Sequence, residues 1–298
     1  MSFLRSRSRA SQAMSAAGDT GRSWLELALI GGVGGVLSGL FAIGGGILMV
    51  PLLVWRAHLD QRRASATSLA AIVPAAIVGS ATYLAHGEVD VAAAAFITIG
   101  AAAGAAVGSA LLRRIPLVAL RWMFIVFILA VAARLLLVTP PRDHELALSP
   151  GVALGYVALG LVVGVASGLF GIGGGLIAVP LLISVFAISD LVAKGTSLLV
   201  AIPTSLVGTV ANRRAGLVDI RTALVVGVAA AVAAVPAACL ALLLSARLSA
   251  LLFSALLIAV ATQLTVKAVR AARGNRRAST SAASTPPVHS HPADEVDR

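Results

Sequence analysis

Apolar runs of about 20 residues, long enough to cross a bilayer, recur along the chain near 66–85, 91–112 and 117–139, and again near 195–212, 221–244 and 249–270. Polar punctuation between them is short. Two further apolar stretches, 24–54 and 151–188, have a different form. Each has an apolar arm, a Gly-Gly-Gly break and a second arm shorter than a full crossing. The pattern predicts an all-α polytopic membrane protein with six full crossings and two glycine-broken segments, about eight apparent spans in all.

The two broken segments are copies of one another. Ser-Gly-Leu-Phe-x-Ile-Gly-Gly-Gly-x-x-x-Val-Pro-Leu-Leu runs from Ser38 to Leu53 and again from Ser167 to Leu182. The register holds without a gap beyond the motif. Gly31, Gly35 and Gly39 match Gly160, Gly164 and Gly168; Thr67-Ser68-Leu69 matches Thr196-Ser197-Leu198; Pro74 matches Pro203 and Gly79 matches Gly208. Gly87-Glu88-Val89-Asp90 matches Gly216-Leu217-Val218-Asp219. The chain is an internal duplication, with a first membrane repeat over 24–139 and a second over 151–272.

Each broken segment either crosses once or dips in and returns. Charge favours the second reading. With a cytoplasmic amino terminus and two hairpins, all 23 basic residues except Arg134, Arg142, Lys194 and Arg247 fall inside. If the segments cross instead, Arg56, Arg62, Arg63, Arg113, Arg114 and Arg121 move outside, against the positive-inside rule. The equivalent turns His86–Asp90 and Arg213–Asp219 differ in the same sense, the second being the basic one. Equivalent turns on opposite faces mean an inverted-topology repeat, with three crossings and one membrane-dipping hairpin per half. Against this, residues 24–43 alone are long enough to cross.

Composition narrows the function. Hydrophobic residues make up 59% of the 298 positions and charged residues 12%, which excludes a soluble domain. The net charge of +11 lies in short clusters between apolar runs, so it encodes orientation and implies no nucleic-acid partner. The single cysteine, Cys239, excludes an internal disulfide framework. Residues 1–23 read as a basic cytosolic leader, 140–150 as an external linker and 273–298 as a disordered cytosolic tail. Both termini are therefore expected on the cytoplasmic side of the cell membrane.

The glycine triplets carry the candidate chemistry. The stripes at Gly31/Gly35/Gly39, Gly160/Gly164/Gly168 and Gly100/Gly104/Gly108 line one helix face each, and read as packing surfaces. Gly44-Gly45-Gly46 and Gly173-Gly174-Gly175 cover every face, so they break the helix and open backbone groups at membrane depth. The arm that follows presents its amino-terminal amides and positive dipole end, which suits an anion; the other reading is a tight turn without a ligand. Thr67, Ser68, Thr196 and Ser197 either cap the next helix or add neutral hydroxyls to the same site. Ser38 and Ser167 either bond their own helix or face the break. Phe41 and Phe170 read as apolar wall or, alternatively, as a gate to the cavity, Pro74 and Pro203 as kinks, and Asn212 and Arg213 as interfacial. Ionisable residues within the spans are scarce, and Glu26, Arg121 and Arg134 sit near segment ends. No histidine has metal-ligand spacing with a partner, and no nucleotide-binding or hydrolase motif is present, so neither a cofactor nor an enzyme activity is expected.

On these residues the chain resembles the sulfite exporter TauE/SafE family, also called the TSUP transporters. The resemblance rests on Gly39–Gly46 with Val50-Pro51, on Gly168–Gly175 with Val179-Pro180, and on the duplicated Thr-Ser-Leu and Gly-x-Val-Asp elements. It implies transport of small sulfur-containing or organic anions such as sulfite or sulfonates, often outward. Ala42 stands where the second copy has Gly171, which makes the two half-sites unequal. A membrane-embedded scaffold without a substrate is the alternative, and the oligomeric state is open. With no carboxylate expected at the midplane, passive flux or a proton carried on the anion is the expected coupling, and an ion held by the free carbonyls of the hairpins is the alternative.

Overall fold

The computed structural model describes residues 24–116 and 149–245, with parts of 118–133 and 247–266. The leader, most of the linker, the tail, Arg121 and Arg134 lie outside the described residues, and the third crossing of each half lies only partly within them. Eight helices are complete: α1 (Trp24–Phe41), α2 (Gly46–Arg56), α3 (Gln61–Ala85), α4 (Val91–Arg114), α5 (Pro150–Phe170), α6 (Gly175–Phe186), α7 (Asp190–Arg214) and α8 (Ile220–Leu243). A further helical stretch covers Arg247–Gln263. Of these, α1, α3, α4, α5, α7 and α8 are long and apolar enough to cross a membrane, whereas α2 and α6 are not.

Glycine contacts give the direction of every long helix. A methyl group placed on Gly100, Gly104 or Gly108 of α4 would overlap the carbonyl of Val157, Leu161 or Val165 of α5. Residue numbers rise together, so α4 and α5 are parallel and in backbone contact. The other seam repeats this: Gly31, Gly35 and Gly39 of α1 face the carbonyls of Val226, Ala230 and Ala234 of α8. The stripes are thus packing surfaces that let two backbones touch. Gly100→Ala is expected to cost about 1–3 kcal/mol through overpacking and to lower the yield and melting temperature of the purified protein.

Three more contacts complete the topology. Asp219 N–H bonds Thr67 Oγ1, and Gly227 packs on Ala71, so α8 also runs parallel to α3. Asp90 N–H bonds Thr196 Oγ1 and Asn212 bonds Ser109, so α4 runs parallel to α7. Gly79 meets Leu198 while Gly208 meets Leu69, so α3 and α7 are antiparallel. Helices α1, α3 and α8 therefore point one way, and their partners α5, α7 and α4 the other. Equivalent helices of the two halves run in opposite directions, as an inverted repeat requires.

Because α1 and α3 point the same way, α2 has to bring the chain back. It does. Glu26 at the start of α1 pairs with Arg56 at the end of α2 at 2.7 Å, and Tyr156 near the start of α5 packs on Phe186 at the end of α6, ring centroids 4.5 Å apart. Each break is the apex of a hairpin whose outward arm, 18 or 21 residues, exceeds its return arm of 11 or 12. The long first arm explains why 24–43 also reads as a crossing. Apart from Arg247, every described arginine (Arg56, Arg62, Arg63, Arg113, Arg114, Arg213, Arg214, Arg221) lies at one end of the bundle, where α1, α3 and α8 begin.

The helices after the hairpins start earlier than the apolar runs suggest, at Gln61 and Asp190 instead of near 66 and 195. Their caps are Asp60, accepting from the amides of Arg62 and Arg63, and Ser189, accepting from Val192. Thr67, Ser68, Thr196 and Ser197 thus lie nearly two turns inside the helices, and the capping reading of these hydroxyls is corrected.

Candidate functional site

The two glycine breaks touch at the pseudo-two-fold axis. A methyl on Gly46 would overlap the Gly171 carbonyl, one on Gly175 would overlap the Ala42 carbonyl, and Gly44 and Gly173 both pack on Ile72. All six triplet glycines are buried. Gly44, Gly45, Gly173 and Gly174 take φ of 73°, 73°, 75° and 88°, the left-handed region that favours glycine. Ala42 holds φ 55°, an uncommon conformation for a residue with a Cβ. Its counterpart Gly171 lies against the Ser65 backbone, where a Cβ would collide.

Hydroxyls lock each break to the opposite half. Ser68 Oγ donates to Gly171 O at 2.7 Å, with Ser65 O also within 3.0 Å. Reciprocally, Ser197 Oγ reaches Ala42 O at 3.4 Å and Lys194 O at 2.9 Å. Thr67 and Thr196 instead accept from the amides of Asp219 and Asp90, fixing the turns that open α8 and α4. The structure therefore brings the glycines together with Ser68 and Ser197. The two threonines serve the seams between halves.

The starts of α2 and α6 differ from their neighbours. Helices α3, α4, α5, α7 and α8 each begin with an Asp or Ser side chain accepting from the first-turn amides. The caps of α2 and α6 are Gly45 and Gly174, left-handed and without a side-chain bond. These starts present amides and a positive dipole end with no acceptor from a capping side chain. Ser38 and Ser167, equivalent residues near the ends of α1 and α5, are both fully buried, and neither hydroxyl has a hydrogen-bond partner. The Ser167 Cβ lies 3.8 Å from where a Gly174 Cβ would stand. A buried hydroxyl without a partner costs about 1–3 kcal/mol, so each half combines an uncapped helix start with an unspent donor. Neutral donors of this kind desolvate an anion without holding it as a buried arginine would.

Further buried polar groups went unseen in the apolar pattern. Asn212, read as interfacial, is fully buried, with Nδ2 3.4 Å from Ser109 Oγ. Lys194, placed among the external charges, is 2% exposed and pairs with Asp190. The earlier helix start carries both residues into the protein at the start of α7, so the carboxylate they bury lies in the first helical turn and not at the midplane. An i,i+4 pair of opposite charges was the available signal. Phe41, read as wall, stacks on Phe253 with centroids 5.3 Å apart.

The family model for the sulfite exporter TauE/SafE matches residues 1–135 and 156–290. The chain belongs to the TauE/SafE family. Membership makes it a multi-pass membrane transporter, in keeping with the six long apolar helices and the inverted hairpins. A curated relative described as "Probable membrane transporter protein YunE", from Bacillus subtilis (strain 168), is 25% identical over 202 residues, 60% of this chain and 74% of its own. No solved structure matches. The TauE/SafE match extends over both halves, as the duplicated glycine breaks do.

Proposed function

We propose that the protein is a secondary transporter or facilitator for small sulfur-containing or organic anions, such as sulfite or sulfonates, and that it acts as an exporter. One observation carries this reading: two uncapped helix starts meet at the pseudo-two-fold axis, and each half holds a buried serine hydroxyl without a partner, that of Ser167 beside Gly174. Gly44, Gly45, Gly46, Gly173, Gly174 and Gly175 would offer amides, and Ser68 and Ser197 would hold the breaks in register. A scaffold would need neither break, because continuous helices pack at lower cost. The arginine-rich end is assigned to the cytoplasm on the positive-inside rule, with both termini there. In a Cys239→Ser background, Asp60→Cys and Gly216→Cys are expected to label from the cytoplasmic side and Gly87→Cys from outside.

Vesicles holding the purified protein, tested with sulfite, methanesulfonate, sulfate and acetate, check the substrate class. Saturable flux of at least one is expected; flux of none would favour the scaffold. The serines give a sharper result. Ser38→Ala and Ser167→Ala remove an unpartnered buried hydroxyl, so the melting temperature should hold or rise, with a gain of up to about 1–3 kcal/mol in stability. Flux should nonetheless fall several-fold. Unchanged flux in both variants would remove these hydroxyls from the site.

A further inference from the structure

At the end of the bundle opposite the arginines, a charge is buried that the fold itself does not require. Lys194 Nζ lies 2.6 Å from Asp190 Oδ2 and 2.6 Å from Ser249 Oγ. Lys194 is 2% exposed and Asp190 8%. An ammonium carries three N–H groups, and among the described residues Nζ has these two acceptors. The equivalent positions in the first half are Gln61 and Ser65. The same hairpin-and-helix packing therefore forms there with no charge. A buried ion pair contributes little or nothing to stability once desolvation is counted, and an ionisable pair within a membrane bundle marks a substrate or ion path by default.

Its surroundings join it to the glycine breaks. The Ser197 hydroxyl bonds both the Lys194 carbonyl and the Ala42 carbonyl of the first break. Helix Arg247–Gln263, which supplies Ser249, also supplies Phe253, stacked on Phe41 of the same break. One polar contact to α7 and one aromatic contact to the end of α1 hold this helix beside the first break.

We propose that Lys194 is a docking residue for the transported oxyanion at the mouth opposite the arginine-rich end. Asp190 and Ser249 are its resting partners. An arriving sulfite or sulfonate takes the ammonium from Asp190, which lies in the first turn of α7 and turns toward water. Loss of the Ser249 bond frees helix Arg247–Gln263 and uncovers the first break. The proposal rests on the anion-transporter reading and adds a charged, asymmetric contact to its neutral, two-fold site.

The test compares Asp190→Asn, Lys194→Met and the double variant in vesicles, with sulfite and methanesulfonate as probes and a melting curve for each protein. Lys194→Met is expected to lower flux about 10-fold to 100-fold, the weight of one charge-assisted hydrogen bond. Asp190→Asn frees the ammonium, so the half-saturating concentration should fall and the maximal rate with it. The double variant is neutral and should melt close to the native protein, yet its flux should stay as low as that of Lys194→Met. Native-like flux in the double variant would overturn the proposal and leave the pair a structural tie. Absence of flux in the native protein would instead strike the anion-transporter reading, and the docking role would fall with it.

Discussion

Gly175→Ala and Gly46→Ala are each expected to reduce anion flux in vesicles more than about tenfold while the protein still inserts. Both positions are helical, with no left-handed φ, so alanine is conformationally welcome and the effect is steric. A Gly175 methyl would stand inside the Ala42 carbonyl, and a Gly46 methyl inside that of Gly171. These are backbone atoms on the opposite break and cannot rotate away. The two apices have to part, and the Ser197–Ala42 and Ser68–Gly171 bonds lengthen or break. Overpacking of this kind costs about 1–3 kcal/mol, concentrated where the halves meet. Gly32→Ala is the control: nothing lies within 4 Å of its added methyl. It should leave flux unchanged and gain up to about 1 kcal/mol in helix propensity. Equal flux in Gly32→Ala and Gly175→Ala would show that the contact between breaks has no part in transport.

Much of this architecture is legible in the sequence because bilayers impose simple lengths and the duplication supplies an internal control. The matched Gly31/Gly160 and Gly100 stripes foretell close helix seams, though not which helices they join. That each stripe crosses to the other half, α1 onto α8 and α5 onto α4, follows from the fold alone. The hairpins are legible through the arginines: Arg56 and Arg62 have to share a face with the amino terminus, and the Glu26–Arg56 ion pair closes that loop. What hydropathy hides is paired charge. Asp190 and Lys194 look like a loop because each is polar, yet as an i,i+4 pair they sit inside a helix. Hydroxyls are hidden for a related reason. Whether Thr67 caps its own helix or bonds Asp219 depends on a partner 152 positions away, and no local pattern encodes that. The unspent donors Ser38 and Ser167 share the difficulty, since a serine can bond its own helix backbone.

Valine at the left-handed positions should have the other large effect, and it separates the two half-sites. Gly45→Val and Gly174→Val both set a β-branched residue at positive φ, a strain of about 1–3 kcal/mol. Their neighbours differ. A Cβ at Gly45 would enter the Gly34 backbone, whereas one at Gly174 would meet Val163 Cγ1 at 2.7 Å, a side chain that can be shortened. Gly45→Val should therefore lose folded protein as well as flux. Gly174→Val should remain in the membrane without flux, and adding Val163→Ala should recover melting temperature but not transport, because the valine still fills the space beside Ser167.

The most direct check on the paired breaks as the transport site is sulfite flux into vesicles containing equal amounts of folded native protein, Gly174→Val and Gly174→Val/Val163→Ala. Saturable flux in the native protein, with background flux in both variants despite the recovered stability of the second, is the expected result. Native-like flux in the folded Gly174→Val/Val163→Ala protein would contradict it and reduce the glycine breaks to structural turns.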